Sequence, residues 1–481
     1  MNTRIALIMA SWLTAFAPCT APATGSRQAA ADTAAEGAAL DIFKQLIAIN
    51  TTDSVGNVTA AAEAMAQRFR AAGFPAADIA VLGPNERKKN LVVRLHGSGR
   101  HRPVLIMGHL DVVEARREDW STDPFTLVEK DGFYFARGAI DMKDGDAVMV
   151  STLIRMKQEG FRPARDIVLA LTADEEGGCC NGVDWLLKNQ RPLIDAEYAI
   201  SLDDWTIWTG SGPPRIMEVD ATEKTYADYE LLVTSPGGHS SEPAGDNAIY
   251  RLIAGLTRLG AYEFPFELNA VSRAYYERMT QLVDADRAAD MRAILGDPPD
   301  AAAVRRLDRT PKDHAYTHTT CVPTRLDAGH ANNALPQRAS AIVNCRILPG
   351  HSQEEVRQRL LQVVADPGIT VDYVADDGRR SARAPERQGF APVRLDARVM
   401  ESLQAALSAA WPGRTVVATM ALGASDAIYT VAAGLPTYTV AAIAVRPEDS
   451  RAHGRDERVG VEDFRRYTGF YYRFLRMLTT Q

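Results

Sequence analysis

Cysteine is scarce in this chain, with five residues in 481. That is too sparse for a disulfide-built scaffold, so the fold has to rest on a hydrophobic core. Long apolar runs are also missing: beyond the first two dozen residues nothing approaches the roughly 18–20 apolar residues of a membrane-spanning helix. No basic run occurs. Lys+Arg 54 against Asp+Glu 61 leaves a net charge of −7, which argues against a nucleic-acid partner and against the polybasic patch of a peripheral membrane protein. Internal repeats are absent, and Gly 34 and Pro 25 hide no long flexible linker. What remains, 46% hydrophobic and 24% charged residues, is ordinary globular composition. The length suits about three domains, or one large and one medium domain.

Residues 1–25 differ from the rest. Arg4 precedes an apolar run, Ile5 to Ala17, and Ala21-Pro22-Ala23 suits a signal peptidase. The expectation is a cleaved signal peptide and a periplasmic or secreted protein with no membrane attachment afterwards. An N-terminal anchor or a disordered tail is the plainer alternative, and Cys19 raises a lipoprotein reading that Pro18 fits badly. Cys179, Cys180, Cys321 and Cys345 would remain. A Cys321–Cys345 bridge is possible in an oxidising compartment. The adjacent Cys179 and Cys180 read as two small buried residues in a tight turn, in preference to a vicinal disulfide.

Helical spacing marks Ala34–Ile47, Thr59–Ala72, Ala147–Gln158 and Val183–Lys188. Short apolar runs of strand type lie between them at Asn90–Leu95, Val104–Gly108, Asp166–Thr172 and Ala196–Leu202. This alternation predicts an α/β fold, a mostly parallel sheet with helices on both faces. The pattern changes near Ile216. Lys224–Thr234 and Arg338–Leu348 alternate as half-buried antiparallel strands do. Ala248–Leu259 and Ser352–Val364 look helical, and a polar helix-prone stretch covers Ala274–Arg309. After an Arg-rich connector (Asp376–Gln388) the first style returns, closing on a helix from Glu462 to Leu478. The expected organisation is a catalytic domain in two parts, 34–217 and 386–481, interrupted by a smaller α+β domain, 218–385.

Ionisable residues sit where the apolar strands end: His109 and Asp111 in GHLDVV, Asp141 in GAIDMKDG, Glu175 and Glu176 in TADEEGG, Asp203 and Asp204 in SLDDW, and His453 in AHGRDE. Sites in open α/β sheets form outside the carboxyl ends of strands. Each piece alone is weak, since a His-x-Asp or an acidic pair usually lies in a wet loop. Together they would bury several carboxylates, which costs stability unless a cation is present. Nitrogen and oxygen ligands without sulfur suit zinc, and also cobalt or manganese. Two histidines and three carboxylates suggest two metals, one carboxylate shared, able to clamp a hydroxide between them. Asp111 can then orient the His109 ring, and Glu175 can serve the water as general base and the leaving amine as acid.

The stretches GHLDVV, WSTDPF, DGFYFARGAIDMKDG, TADEEGG, SPGGHSSEP, NNALPQRASAIVNCRILPG, LGASDA and HGRDERV, in this order, resemble the superfamily of co-catalytic zinc exopeptidases and amidohydrolases. That superfamily holds aminoacylase-1, glutamate carboxypeptidase, succinyl-diaminopimelate desuccinylase and carnosinase, and the resemblance is strongest to the carboxypeptidase S branch. It implies two zinc ions per subunit. His109, Asp141 and Asp203 would hold one, and Asp141, Glu176 and His453 the other. It implies Glu175 as general acid/base, Asp111 as the partner that orients His109, and a homodimer across which His239 reaches the partner's site to stabilise an oxyanion. Asn333 and Arg346 would contact the substrate, Arg346 gripping a free carboxylate. Gly423, Ala424 and Ser425 would line the pocket.

Alternatives stay open at several points. Asp204 can replace Asp203 as ligand. His239 can be a structural residue of a Gly-rich turn, and Arg346 a surface strand residue. His314 and His318 have helix-face spacing but no accompanying carboxylate cluster, so a ligand role is disfavoured. His96, His101, His330 and His351 read as surface or turn residues. The expected activity is zinc-dependent hydrolysis of an amide or peptide bond beside a free carboxylate, by a carboxypeptidase, dipeptidase or N-acyl-amino-acid hydrolase acting through metal-bound hydroxide. A non-catalytic binding protein on the same scaffold, or an aminopeptidase of the related zinc clan, are the competing readings.

Overall fold

The computed structural model describes residues 23–480 apart from 209–211, 244, 376–377 and 387–392, with side chains from Asp32 onward. Most of the expected signal peptide, and part of the Arg-rich connector, lie outside the described residues. An eight-stranded sheet forms the main body, in the order Ile79–Leu82, Asn90–Leu95, Arg165–Thr172, His101–His109, Tyr198–Ser201, Thr437–Ala441, Ile216–Glu223, Thr415–Ala421. The central pairings are parallel, as is the last one. The first two, and the Thr437–Ala441 pairing with Ile216–Glu223, are antiparallel.

Alternate residues of a strand face opposite sides of a sheet, and both sides here are apolar. Val104 and Ile106 pack with the helices Val58–Ala71, Lys143–Gln158 and Val461–Thr480. Leu105 and Met107 pack with Val183, Leu186 and Ile194 on the other side. The candidate ligands lie at or beyond the ends of these strands, where the backbone leaves the two apolar layers. The expected α/β architecture is present.

The smaller body is a five-stranded antiparallel sheet, in the order Thr320–Ala328, Arg338–Ile347, Thr225–Thr234, Ile369–Val374, Arg380–Ser381. Its apolar face (Tyr229, Leu231, Val343, Ile347) packs on Leu252 and Leu259 of one helix and Val356 and Leu360 of another. The chain passes from one sheet to the other at Lys224, so the expected boundary at 217/218 falls inside a strand of the large sheet. The helices from Ala270 to Thr317 also differ from expectation. Val271, Tyr276, Met291 and Ile294 pack with Ile216, Val417 and Met420 of the large sheet, not with the inserted sheet. These apolar side chains need a face to cover, and the edge strand Thr415–Ala421 supplies one.

Both cysteine pairs are bonded. Cys321 and Cys345 stand opposite each other on neighbouring strands. The Cys179–Cys180 bond corrects the expectation of two buried thiols: Cys179 is exposed and Cys180 half-buried. The loop carrying them is held to the surface by Asp174, whose carboxylate accepts the Cys180 N–H at 3.1 Å. Gly178 permits this fold-back, because a Cβ there would lie 2.5 Å from that carboxylate.

Candidate active site

Four segments deliver their side chains to one crevice. His109 is the last residue of its strand, Asp141 stands just before the helix Lys143–Gln158, Glu175 and Glu176 follow the strand Arg165–Thr172, and Asp203 follows Tyr198–Ser201. His453 comes from a distant loop, in a left-handed backbone conformation (φ 61). His109 Nε2 lies 3.1 Å from Asp141 Oδ1 and 3.4 Å from Asp203 Oδ1. His453 Nε2 lies 3.0 Å from Asp141 Oδ2 and 2.8 Å from Glu176 Oε2. Asp141 therefore turns one oxygen to each histidine, and each histidine has a second carboxylate of its own. Asp204 faces away, into a buried cluster with Asp220 and Glu218, so Asp203 is the residue brought to the crevice.

The electrostatics describe a centre short of positive charge. Burial, and next Asp203, push Glu175 well above the ordinary glutamate range. Burial also raises Glu176, although its hydrogen bond to His453 opposes the shift. Burial works against the charged form of Asp141 too, but its bonds to His109 and His453 hold it below the usual carboxylate range. His453 is raised to about 10 by its bonds to Asp141 and Glu176.

The tautomer of His109 tests whether a cation fits. Its Nδ1 lies 3.0 Å from the carbonyl oxygen of Asp111, a contact that only an N–H satisfies. In the neutral ring that leaves a lone pair on Nε2, facing carboxylate oxygens of Asp141 and Asp203. Lone pairs converging on one point repel unless a cation stands between them, and N/O ligands of this kind suit zinc, manganese or cobalt. The donor set fits two divalent ions: His109, Asp141 and Asp203 for one, Asp141, Glu176 and His453 for the other.

Asp111 departs from the expected role. The His109 N–H goes to its backbone carbonyl, and its carboxylate oxygen is 3.9 Å from Nδ1. That carboxylate instead accepts the N–H groups of Glu175 at 3.2 Å and Glu176 at 3.0 Å. The buried Asp111 side chain thus positions the glutamate pair, because a tight turn leaves those amides without partners.

Several supporting residues had no role assigned from sequence. Glu457, fully buried, accepts the N–H groups of Ile140 at 2.9 Å and Asp141 at 3.2 Å, and binds Arg137 at 2.5 Å. Arg137 in turn donates to the carbonyls of His453 at 3.2 Å and Gly454 at 3.0 Å. One ion pair so locks the shared carboxylate to the loop of His453. Lys88 bridges Asp174 and Asp53, anchoring the turn that carries Glu175. Asp426, raised to about 7 by burial, binds Asn181 at 2.6 Å and Thr172 at 3.1 Å. Arg137 and Glu457 each lie four positions from a candidate metal ligand, Asp141 and His453, a local signal that Lys88 and Asp426 lack.

The remaining candidates have partners other than these ligands. His239 is exposed, on a two-residue strand paired with Ala334–Leu335, and its Nδ1 contacts Ser241 Oγ at 2.6 Å. Asn333, also exposed, accepts the Ser240 N–H at 3.1 Å through its carbonyl, so His239 and Asn333 are neighbours. Arg346 lies over the Tyr226 ring at 4.8 Å. Gly423 and Ala424 are exposed, and Ser425 donates to Glu223 through its N–H at 3.2 Å and its hydroxyl at 3.1 Å.

Among curated proteins, the chain is 25% identical over 392 residues to the mouse N-fatty-acyl-amino acid synthase/hydrolase PM20D1, covering 79% of this chain and 75% of that one. It is 25% identical over 390 residues to a probable carboxypeptidase S-like 2 of Dictyostelium discoideum, covering 78% and 71%. Its fold matches the M20 family metallo-carboxypeptidase Sso-CP2 of Sulfolobus solfataricus with a TM-score of 0.69 at 15% identity, over 92% of this chain and 99% of that one. Human carnosine dipeptidase 1 matches with a TM-score of 0.66 at 15% identity, over 96% and 100%. The family model for peptidase family M20/M25/M40 matches residues 105–477, and with most of its length inside that match the chain belongs to this family.

Proposed function

We propose that this protein is a metal-dependent hydrolase of an amide or peptide C–N bond next to a free carboxylate, releasing an amino acid. The observation that carries this reading is the division of Asp141 between two histidines, each with a private carboxylate. Two divalent ions, zinc in this reading and cobalt or manganese as substitutes, would supply Lewis acidity towards the scissile carbonyl and acidify a water. The chain's own groups do the rest. Glu175 takes the proton of the attacking water and returns it to the leaving amine, a task for which its raised proton affinity suits it. Asp111 holds Glu175 and Glu176 by their backbone. Arg346 offers a planar fork to the substrate carboxylate, Asn333 adds a further contact, and Gly423, Ala424 and Ser425 line the pocket.

The substrate is a small peptide or an N-acyl amino acid; both kinds of activity appear among the names of the relatives and matched structures. A homodimer belongs to the same reading. The edge strand Thr320–Ala328 exposes Val322 and Leu326, at 55% and 63%, and the nearby helix Ala248–Gly260 exposes Tyr250 and Ile253. Unpaired edges carrying apolar side chains invite pairing with a second copy, and His239 on that body would then serve the partner's crevice. Export also belongs to it. The signal-peptide pattern motivates the proposal, and two disulfides support an oxidising compartment.

The test is a panel of dipeptides and N-acyl amino acids, with metal content measured on the same sample. Cleavage abolished by a chelator and restored by zinc is the expected result. A zinc-loaded enzyme that cleaves no member of the panel would sink the reading.

A further inference from the structure

We propose that Asp426 is a positioning residue for Glu175: it clasps the neck of the loop that carries Glu175 and ties that loop to the substrate-side segment Gly423–Ser425. What Glu175 does is taken from the hydrolase reading; the clasp itself stands on the packing alone.

The loop Ala173–Gly182 leaves the strand Arg165–Thr172 and runs into the helix Gly182–Asn189. Its two ends meet. The Gly182 N–H donates to the Ala173 carbonyl at 2.7 Å, and the Asn181 side-chain amide donates to the Asp174 carbonyl at 3.3 Å. Asn90 Oδ1 accepts the Ala173 N–H at 3.0 Å. A Cβ on Gly182 would lie 2.1 Å from that same oxygen, so the neck has no slack. Asp426, 4% exposed, reaches in from a segment distant in sequence. On the outgoing arm its Oδ1 accepts Asn181 Nδ2 at 2.6 Å. On the incoming arm its Oδ2 meets Thr172 Oγ1 at 3.1 Å. One carboxyl group thus holds both arms. The preceding residue, Ser425, is fixed in turn to Glu223 of the large sheet, through its N–H at 3.2 Å and its hydroxyl at 3.1 Å.

A count of hydrogens says how the clasp is made. The Thr172 hydroxyl has one hydrogen, and two oxygens stand 3.1 Å from it, the Gly108 carbonyl and Asp426 Oδ2. A carbonyl cannot donate. With the Thr172 hydrogen on Gly108, the second contact needs a proton on Asp426. A neutral carboxyl group then fills every position, donating through Oδ2 and accepting through Oδ1. Burial acts in the same direction, raising Asp426 to about 7. An asparagine side chain, with one donor arm and one acceptor arm, has the same shape and the same pattern.

Asp111 holds the Glu175 and Glu176 amides inside the loop, while Asp426 fixes where the loop begins and ends. A displacement of about 1 Å at a reacting group can cost about 10²-fold in rate. His109, Asp141, Asp203 and His453 lie outside this loop, so loosening it leaves four of the five candidate ligands in place.

The experiment measures kcat and KM on a substrate from the panel, zinc per subunit by elemental analysis, and hydrogen–deuterium exchange across residues 173–182, all on the full chain. Asp426→Ala should lower kcat by about 10–100-fold, change KM less, keep its zinc, and speed exchange in 173–182. Asp426→Asn should recover most of the lost turnover and slow the exchange again. Thr172→Val removes one arm's bond and should show a smaller loss of the same kind, which serves if Asp426→Ala does not fold. Wild-type kcat and exchange in these variants, zinc lost in step with kcat, or an Asp426→Asn enzyme as slow as Asp426→Ala would each overturn the proposal. Failure of the hydrolase reading looks different: the wild type would then cleave nothing, and the exchange rates would still decide whether Asp426 clasps the loop.

Discussion

The carboxyl end of the large sheet and the outer side of the small sheet carry their functional candidates in opposite ways. At the first, ligands are fixed from behind: Asp141 by Glu457, Glu175 and Glu176 by Asp111, and the His453 loop by Arg137. At the second, His239 and Asn333 are exposed on two short segments that bond to each other, and Arg346 lies over a neighbouring ring. The difference teaches that the ligand cage is preorganised by the chain itself. The candidate recognition residues His239 and Asn333, by contrast, stand exposed. Preorganised charge is what makes such a centre effective, and it explains why so many carboxylates tolerate burial there.

The largest expected effect breaks the chemistry while leaving the cage whole. Glu175→Gln should lower kcat by about 10²–10⁴-fold, the usual range for a general acid/base, with bound metal unchanged. Steady-state rates with elemental analysis check this, and undiminished turnover would remove Glu175 from the mechanism. Next comes the cage's support. Glu457→Gln leaves Arg137 buried without its partner and should cost about 3–5 kcal/mol of stability. Metal affinity should fall by about 10–100-fold with it, as measured by denaturant melts and zinc titration.

The exposed side answers to a different change. Leu326→Asp on the edge strand should convert a dimer into a monomer of 52.5 kDa, less any cleaved leader, in light scattering. If His239 serves the partner's site as an oxyanion donor, kcat should drop by about 10²–10³-fold while zinc binding persists. An active monomer would erase the contrast between the two regions. The smallest effect concerns Glu223, which burial raises to about 8, against hydrogen bonds from Ser425. The folded state favours its protonated form, so its contribution is present below the ordinary glutamate range and is lost as pH rises through about 8. Relative to wild type, Glu223→Gln should therefore gain stability between pH 5 and pH 9; a pH-independent difference in urea midpoint would contradict this.

The α/β class, its strands and the order of ionisable residues at their ends were legible in the sequence, because strand burial and side-chain alternation are local and repeat every two residues. His109, Asp141, Glu176, Asp203 and His453 could be named for that reason, and a divalent-metal chemistry followed from their types. Only the tertiary structure decided which of Asp203 and Asp204 faces His109 and that Asp111 serves backbone amides. It also decided that Cys179 and Cys180 are bonded. Arg137 and Glu457 are 320 positions apart along the chain, and no local period carries information over that distance. Such pairings are set by the packing of one segment on another, where the loss of water makes a buried charge seek a partner that the neighbouring sequence does not contain.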